Sequence, residues 1–376
     1  MKNILLIGEK YSSNLGDGII CDTVEFLLKD KNFNIVTLDI SGRSSFENDC
    51  NSFSLIKEYK VYFKSLIKKG LSILGYNRMG KNLLKIFSDF RKSFDDSVSE
   101  MHYDYIIFAG GQMFIDTFIH QINYVCAYGE KNNVKIIFNC CGTGKILNKK
   151  VLAEILNSKA VNYISVRDGS DLLKKYTDKD IIKCCDNAVY ASYVYDSKKI
   201  NSYSNGIGIM FSTLQSPLKQ IRFWGKVLKK LINDNTEFVL FTNGSYKDYC
   251  FAKYLLSIFN LDTKKYLLSR PVTPEELVSQ ISSFDKILSM RLHSMIVAYS
   301  FDIPSIAICW DNKVKSFFSE IGLSNNCYTL DSNVNVIIKK LNKINKDTID
   351  EKIKQNKLIE IKNNINSIKK IVGGTK

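Results

Sequence analysis

Short apolar runs alternate with amphipathic segments along most of the chain. Five runs in the first half read as strands: Ile4–Ile7, Asn34–Leu38, Tyr105–Phe108, Lys135–Asn139 and Tyr163–Val166. Helix-like spacing covers about 18–29, 150–159 and 170–176 between them. A second alternation begins near 207, with strands at Ile207–Met210, Phe238–Phe241, Lys286–Leu288 and Ser305–Ile308 and a short one near 265–268. Its helices are expected at 218–233, 247–258, 274–283 and 293–300. Strands alternating with helices predict parallel sheets covered on both faces, an α/β fold. Two stretches break the rhythm: 44–100 looks inserted, and polar and turn residues crowd "VYDSKKINSYSNG" at 194–206. The expected organisation is a Rossmann-like domain over 1–200 with the insertion, a second over 201–332, and a Lys-rich helical tail over 333–376. Ligands of such sheets sit at the carboxyl ends of strands, so the cleft between the domains is where chemistry is expected.

Composition sharpens this picture in three places. At 376 residues the chain exceeds one ordinary core, which favours two domains. The ten cysteines are scattered or directly adjacent (Cys140–Cys141, Cys184–Cys185) and form no CxxC or Cys/His metal spacing. Reduced, buried thiols in a cytosolic protein are the expectation. The opening "MKNILLIGEK" has an apolar run far short of the ~20 residues a spanning helix needs, so a buried first strand is expected and a cytoplasmic location with it.

The net charge of +15 is unevenly spread. Residues 57–92 hold ten Lys/Arg against two acids, a net +8 in 36 residues. Apolar and aromatic residues recur there at helical spacing, giving one or two basic amphipathic helices. Such a segment is either a solvated lid or a surface for anionic lipid or glycan, with peripheral contact at the inner face of the cell membrane. No nucleic-acid-binding motif accompanies it.

Five strand-to-helix turns carry the candidate chemistry. In "GEKYSSNLGDGII" Gly16 and Gly18 flank Asp17 where a helix opens; Asn14 or Asp17 would cap it, and Asp17 could also accept a proton. Glycines there let a ligand approach the backbone, but the spacing is neither GxGxxG nor a Walker loop. "YIIFAGGQMFID" places Gly110 and Gly111 at a strand end, with Gln112 next, and "NCCGTGKI" does the same with Gly142 and Gly144. In "YISVRDGSDLLKKY" Arg167 ends a strand, either paired with Asp168 across the turn or free to fork onto a carboxylate or phosphate. Finally "ILSMRLHS" sets Arg291 two residues before His293, one of three histidines, with Leu292 between them. An arginine for an anion beside a histidine for a proton suits a catalytic cleft. Asp311 and Lys313 stand at the next strand end.

In order and spacing, these turns resemble the polysaccharide pyruvyl transferase family over about residues 1–330. "NLGDGII", "FAGGQMF", "SVRDGSDLL", "CCDNA" and above all "MRLHSMIVAYSFDIPSIAICWDNKV" carry the resemblance. Gln112 replaces a third glycine and Asn187 a proline of the family pattern. The resemblance implies a glycosyltransferase-B-like fold and transfer of pyruvate from phosphoenolpyruvate onto two hydroxyls of a sugar as a cyclic ketal, in bacterial cell-surface polysaccharide synthesis. By matching position it implies that Arg291 and His293 contact phosphoenolpyruvate and that Arg167 is a further anion contact. Phosphoenolpyruvate carries a carboxylate and a phosphate, so cations and backbone donors serve it without a mandatory metal or cofactor. His293 is the expected general acid, Arg291 a charge stabiliser and Asp17 a base. Asn14, Gly16, Gly110, Gly111, Gln112, Gly142, Leu292 and Lys313 line the expected substrate site. The acceptor is a sugar or glycan, free or lipid-linked. A nucleotide-sugar glycosyltransferase of the same fold, and a non-catalytic membrane-associated partner in glycan assembly, are the alternatives.

Overall fold

A computed structural model describes residues 1–46, 54–73, 81–195 and 202–374. The first half runs β1 (Lys2–Gly8), α1 (Leu15–Leu28), β2 (Phe33–Asp39), α2 (Leu55–Ile73), α3 (Lys81–Glu100), β3 (Tyr105–Phe108) and β4 (Gly111–Phe114). It continues through α4 (Ile119–Asn132), β5 (Lys135–Thr143), α5 (Lys149–Asn157), β6 (Val161–Val166), α6 (Ser170–Leu173), β7 (Ile182–Lys183) and α7 (Ala191–Val194). Its parallel sheet has the order β2-β1-β3-β5-β6-β7, with β4 also on β5. Side chains alternate across these strands as a period of two requires. Ile4 and Leu6 of β1 pack with α1, whereas Leu5 and Ile7 pack with α3, α4 and α5.

The second half runs β8 (Tyr203–Gly208), α8 (Pro217–Asn233), β9 (Val239–Phe241), α9 (Tyr246–Ile258), α10 (Thr263–Tyr266), α11 (Pro274–Ser282) and β10 (Phe284–Ser289). Then come α12 (Leu292–Ser300), β11 (Ser305–Ile308), α13 (Asn312–Glu320), β12 (Cys327–Tyr328), α14 (Val334–Lys343) and α15 (Glu351–Gly373). The second parallel sheet has the order β12-β11-β10-β8-β9. The strand expected near 265–268 is instead the helical turn α10, whose start is capped by Asp262 accepting from the Lys264 amide at 2.9 Å. Only Leu267 keeps a single bridge, to Leu240. The expected boundary at 194–206 falls partly outside the described residues.

The lysine-rich C-terminal stretch does not form a tail apart from the body. Its first helix, α14, shares a core with α8 and the second sheet. Its second, α15, returns to the first: Tyr105 Oη donates to the Ile371 carbonyl at 2.8 Å, and Asn364 bonds Tyr163 and Asn139 at 2.8 and 2.7 Å. One continuous apolar core therefore includes α1, α11, α12 and α15 and joins the halves. The insertion spans the cleft too, because buried Glu58 of α2 pairs with Lys247 of α9.

Candidate active site

The site forms where the turn before α1 in the first half meets the turns after β9 and β10 in the second. β1 ends at Gly8, and the chain reaches α1 through a loop stitched to the other half by the Leu15 amide donating to the Asn243 carbonyl at 3.0 Å. Gly244 adopts φ +98° there, and a Cβ on it would stand 2.6 Å from Leu15 Cγ. Gly16 meets His293 more closely still: a Cβ on Gly16 would lie 2.3 Å from both His293 Cβ and Nδ1. A glycine at 16 is thus what lets the imidazole approach the first half.

His293 is buried in the first turn of α12. Its Nδ1 lies 3.8 Å from Asp17 Oδ1 and its Nε2 lies 3.9 Å from Asp186 Oδ2. Nε2 has no hydrogen-bond partner. Burial holds the imidazole below its ordinary value; Asp17 and Asp186 oppose this, while Arg167 and Lys313 reinforce it. The group is therefore neutral near pH 7. Asp17 is fixed by the Asn14 amide at 2.9 Å and by Ser12 Oγ at 3.4 Å. Asn14 stands at the N-cap of α1 but makes no side-chain cap bond, its amide being given to Asp17.

Arg167 follows β6 and is buried in ion pairs. Its Nη1 donates to Asp186, and its Nε lies 3.4 Å from Asp168 without a hydrogen bond. The pairing across the turn is thus present, and Nε keeps a donor without a hydrogen bond. Asp186 and Asp168 hold its charge firmly in spite of burial. Gly142 makes room for it, since a Cβ would stand 2.7 Å from Arg167 Nε. Asp168 does not cap α6; it accepts from the Thr143 amide and hydroxyl at 2.6 and 2.7 Å. Lys313 begins α13, and burial with the nearby Arg167 lowers its ordinary value. Arg167, Asp168, Asp186, Leu292 and Lys313 line a cavity of about 30 Å³, room for one or two water molecules.

Two expected residues lie differently. Arg291 does not end a strand: β10 stops at Ser289, and Arg291 is the extended N-cap of α12. It gives Nε and Nη2 to Asp248 at 2.9 and 2.6 Å. Gln112 faces the Thr143 carbonyl at 3.4 Å and the space left by Gly144, where a Cβ would lie 2.2 Å from its amide nitrogen. It bridges β4 to the end of β5 instead of joining the imidazole. Gly110 and Gly111, at φ +110° and +76°, make the break between β3 and β4, and a Cβ on Gly111 would lie at ordinary contact distance of Asp17. Asp248, Asp186 and Glu9 escaped the sequence reading as site residues. Glu9 is pushed up to about 8 by burial and by Asp17 and Asp39, with Arg43 opposing. Asp186 and Glu9 had a signal, since they sit in the quoted "CCDNA" and "GEKYSSNLGDGII" stretches; Asp248 had none.

Among the described residues no group of three or more His, Cys, Asp or Glu is placed to hold a metal, and no helix is long and apolar enough to cross a membrane. Residues 14–312 match the family model described as polysaccharide pyruvyl transferase. None of the curated proteins matches the chain by sequence. Among solved structures, a Listeria monocytogenes protein assigned as a UDP-N-acetylglucosamine 2-epimerase is similar at TM-score 0.61 and 10% identity, over 100% of this chain and 98% of that one. The Neisseria meningitidis UDP-GlcNAc 2-epimerase bound to UDP-GlcNAc gives 0.55 and 13%, over 100% and 99%. The N-terminal domain of Candida albicans trehalose-6-phosphate phosphatase gives 0.52 and 11%, over 100% and 99%. At such identities the likeness shows the fold, a glycosyltransferase-B-like pair of parallel-sheet domains.

Proposed function

The chain belongs to the polysaccharide pyruvyl transferase family, and from that premise we propose that its donor is phosphoenolpyruvate and its product a cyclic pyruvate ketal on a cell-surface glycan. The observation that carries the reading is the setting of His293. A buried imidazole has one nitrogen unpartnered, stands between carboxylates of two different turns, and shares its surroundings with Arg167 and Lys313. An acid, a base and cations for a dianionic donor are together, which is what the reaction asks of a protein.

Donor phosphate and carboxylate bind to Lys313, the unused Nε of Arg167 and the remaining Nη1 of Arg291, whose fork Asp248 orients. Protonated His293 gives its proton to the methylene carbon as a sugar hydroxyl attacks the adjacent carbon and loses its proton to Asp17. The bond between that carbon and the phosphate oxygen then breaks, phosphate leaves with the electron pair, and the second hydroxyl closes the ketal as its proton passes to the departing phosphate. His293 starts neutral, so it must gain its proton as the donor binds; the donor's negative charge offsets Arg167 and Lys313 and favours that uptake.

The reading extends to location. Lys57, Lys60 and Lys64 of α2 are exposed beside exposed Ile56, Val61 and Phe63, a basic and apolar face suited to an anionic leaflet. A cytoplasmic enzyme docked there would meet a lipid-linked acceptor. The test is thermal melting with phosphoenolpyruvate, and separately with UDP or GDP. A ligand at ~100 times its Kd stabilises the native state by about 2.7 kcal/mol. Stabilisation by phosphoenolpyruvate alone, lost in Arg167→Met, is expected; stabilisation by a nucleotide alone would overturn the donor assignment.

A further inference from the structure

Asp186 stands at the centre of the site. It is buried, and it caps the 3₁₀ turn Asn187–Tyr190 by accepting from the Ala188 amide at 2.9 Å through Oδ1. Its other oxygen, Oδ2, accepts from Arg167 Nη1 and lies 3.9 Å from the unpartnered Nε2 of His293. One oxygen atom therefore faces two partners, the guanidinium bonded and the imidazole just out of reach. We infer that Asp186 is a positioning residue that works through both: Oδ2 holds the Arg167 guanidinium until an anion takes it over, and then steadies the imidazole of His293. Movement of a few tenths of an ångström per group is enough to bring Nε2 within hydrogen-bond distance. Anion binding and arming of the acid become one event, because the same carboxylate is released from the first and given to the second.

The charged groups around the imidazole are Asp17 from α1, Arg167 after β6, Asp186 before the 3₁₀ turn and Lys313 from α13. Among them Asp186 alone touches another member of the set with the atom that faces His293. Its carboxyl is itself held low: burial would raise it, and Arg167, His293 and the Ala188 amide outweigh burial. It therefore stays an anion while His293 gains a proton.

The inference rests on the proposed role of His293, but its first test does not require turnover. The chain has three histidines, His102, His120 and His293, so proton titration of the imidazoles by NMR resolves them, and His293→Gln assigns the signal. In the full-length protein Asp186→Asn is expected to lower the His293 midpoint by about one unit or more, the usual effect of losing a close opposite charge. An unchanged midpoint overturns the inference. If Asp186→Asn does not fold, the pair Arg167→Met and Arg167→Met/Asp186→Asn serves, since the latter buries no lone cation. There the midpoint should be higher in the single variant than in the double, and equal midpoints overturn the inference.

The second test is kinetic. Asp186→Asn should lower kcat at least tenfold and move the pH profile of kcat to lower pH, while KM for phosphoenolpyruvate holds or falls as Arg167 is freed. A merely structural role would instead raise KM and lower melting temperature with no displacement of the profile. Asp186→Glu should restore part of kcat and return the profile towards its original position. Should the protein show no turnover of phosphoenolpyruvate while the His293 midpoint still moves, the donor assignment falls and the role of Asp186 stands.

Discussion

Two arginines follow strands of different sheets, and each is paired with a buried aspartate, yet the pairs are built differently. Arg291 grips Asp248 through Nε and Nη2, and Asp248 spends its second oxygen on the Phe211 amide at 2.9 Å. That carboxylate is fully committed to holding the arginine's fork. Arg167 shares Asp186 with His293 and leaves Nε unbonded next to Asp168. The side chain of Arg291 is 20% exposed and that of Arg167 only 8%, so Arg167 acts in a drier setting where charge interactions are stronger. The lesson is that each arginine takes its setting from its partner: Asp248 is committed to the fork of Arg291 and the Phe211 amide, whereas the carboxylate on Arg167 also faces His293.

The largest expected effect is at His293, the proposed acid. His293→Gln should lower kcat by roughly 10²–10⁴-fold with melting temperature kept, measured as phosphate release from phosphoenolpyruvate in the presence of acceptor; activity near that of the unmodified protein would remove His293 from the mechanism. Gly16→Ala should approach that loss without touching a polar group, because the new Cβ would stand 2.3 Å from the imidazole and must displace it or the loop. A variant with full activity would show that the closeness of the two halves is not needed.

The comparison of the arginines is broken directly by substituting each. Arg291→Ala should raise KM for the donor more than it lowers kcat, and Arg167→Met should lower kcat as well. Equal effects on both constants in both variants would dissolve the distinction. Each leaves a buried carboxylate without its cation, at a cost of about 3–5 kcal/mol, so melting temperatures belong in the same experiment.

Smaller effects follow from charge. His293 is held below its ordinary value, so the unfolded chain takes up the proton first. Its contribution is present above the unfolded value of about 6.5, and stability falls as pH drops through and below it. His293→Gln should flatten that slope in melts between pH 7 and 5; an unchanged slope would mean that the imidazole is solvated. The smallest effect on folding belongs to the insertion. Replacing Lys57, Lys60 and Lys64 with glutamate should leave stability within about 0.5 kcal/mol and abolish cosedimentation with anionic vesicles; retained binding would defeat membrane docking through α2.

Much of the molecule was legible before its structure. Period-two and helical patterns located the strands of both sheets within a few residues, since a buried parallel strand must be a near-continuous apolar run. β4, β7 and β12 escaped because four, two and two residues carry too little periodicity to register. The turn at 265–268 misled because "YLL" is apolar enough for a strand, while the cap from Asp262 decided for a helical turn. The turns with Asp17, Arg167 and His293 were legible because glycines, charges and strand ends coincide there. The partners of those residues were not: Asp248 lies 43 positions from Arg291, and Asp186 lies 19 from Arg167.

The sequence by itself determined the alternation of strand and helix, the pair of parallel sheets and the small set of turns able to hold an anion and move a proton. These are local matters, settled by side-chain period, glycine and the chemistry of each residue. Only the tertiary structure decided that Gly16 of one half receives His293 of the other, that Asp186 stands between Arg167 and His293, and that the lysine-rich end returns as α15 to the first sheet. Such outcomes depend on long-range packing, in which a buried charge or donor takes whichever partner the folded chain brings within reach, and no local pattern records that choice.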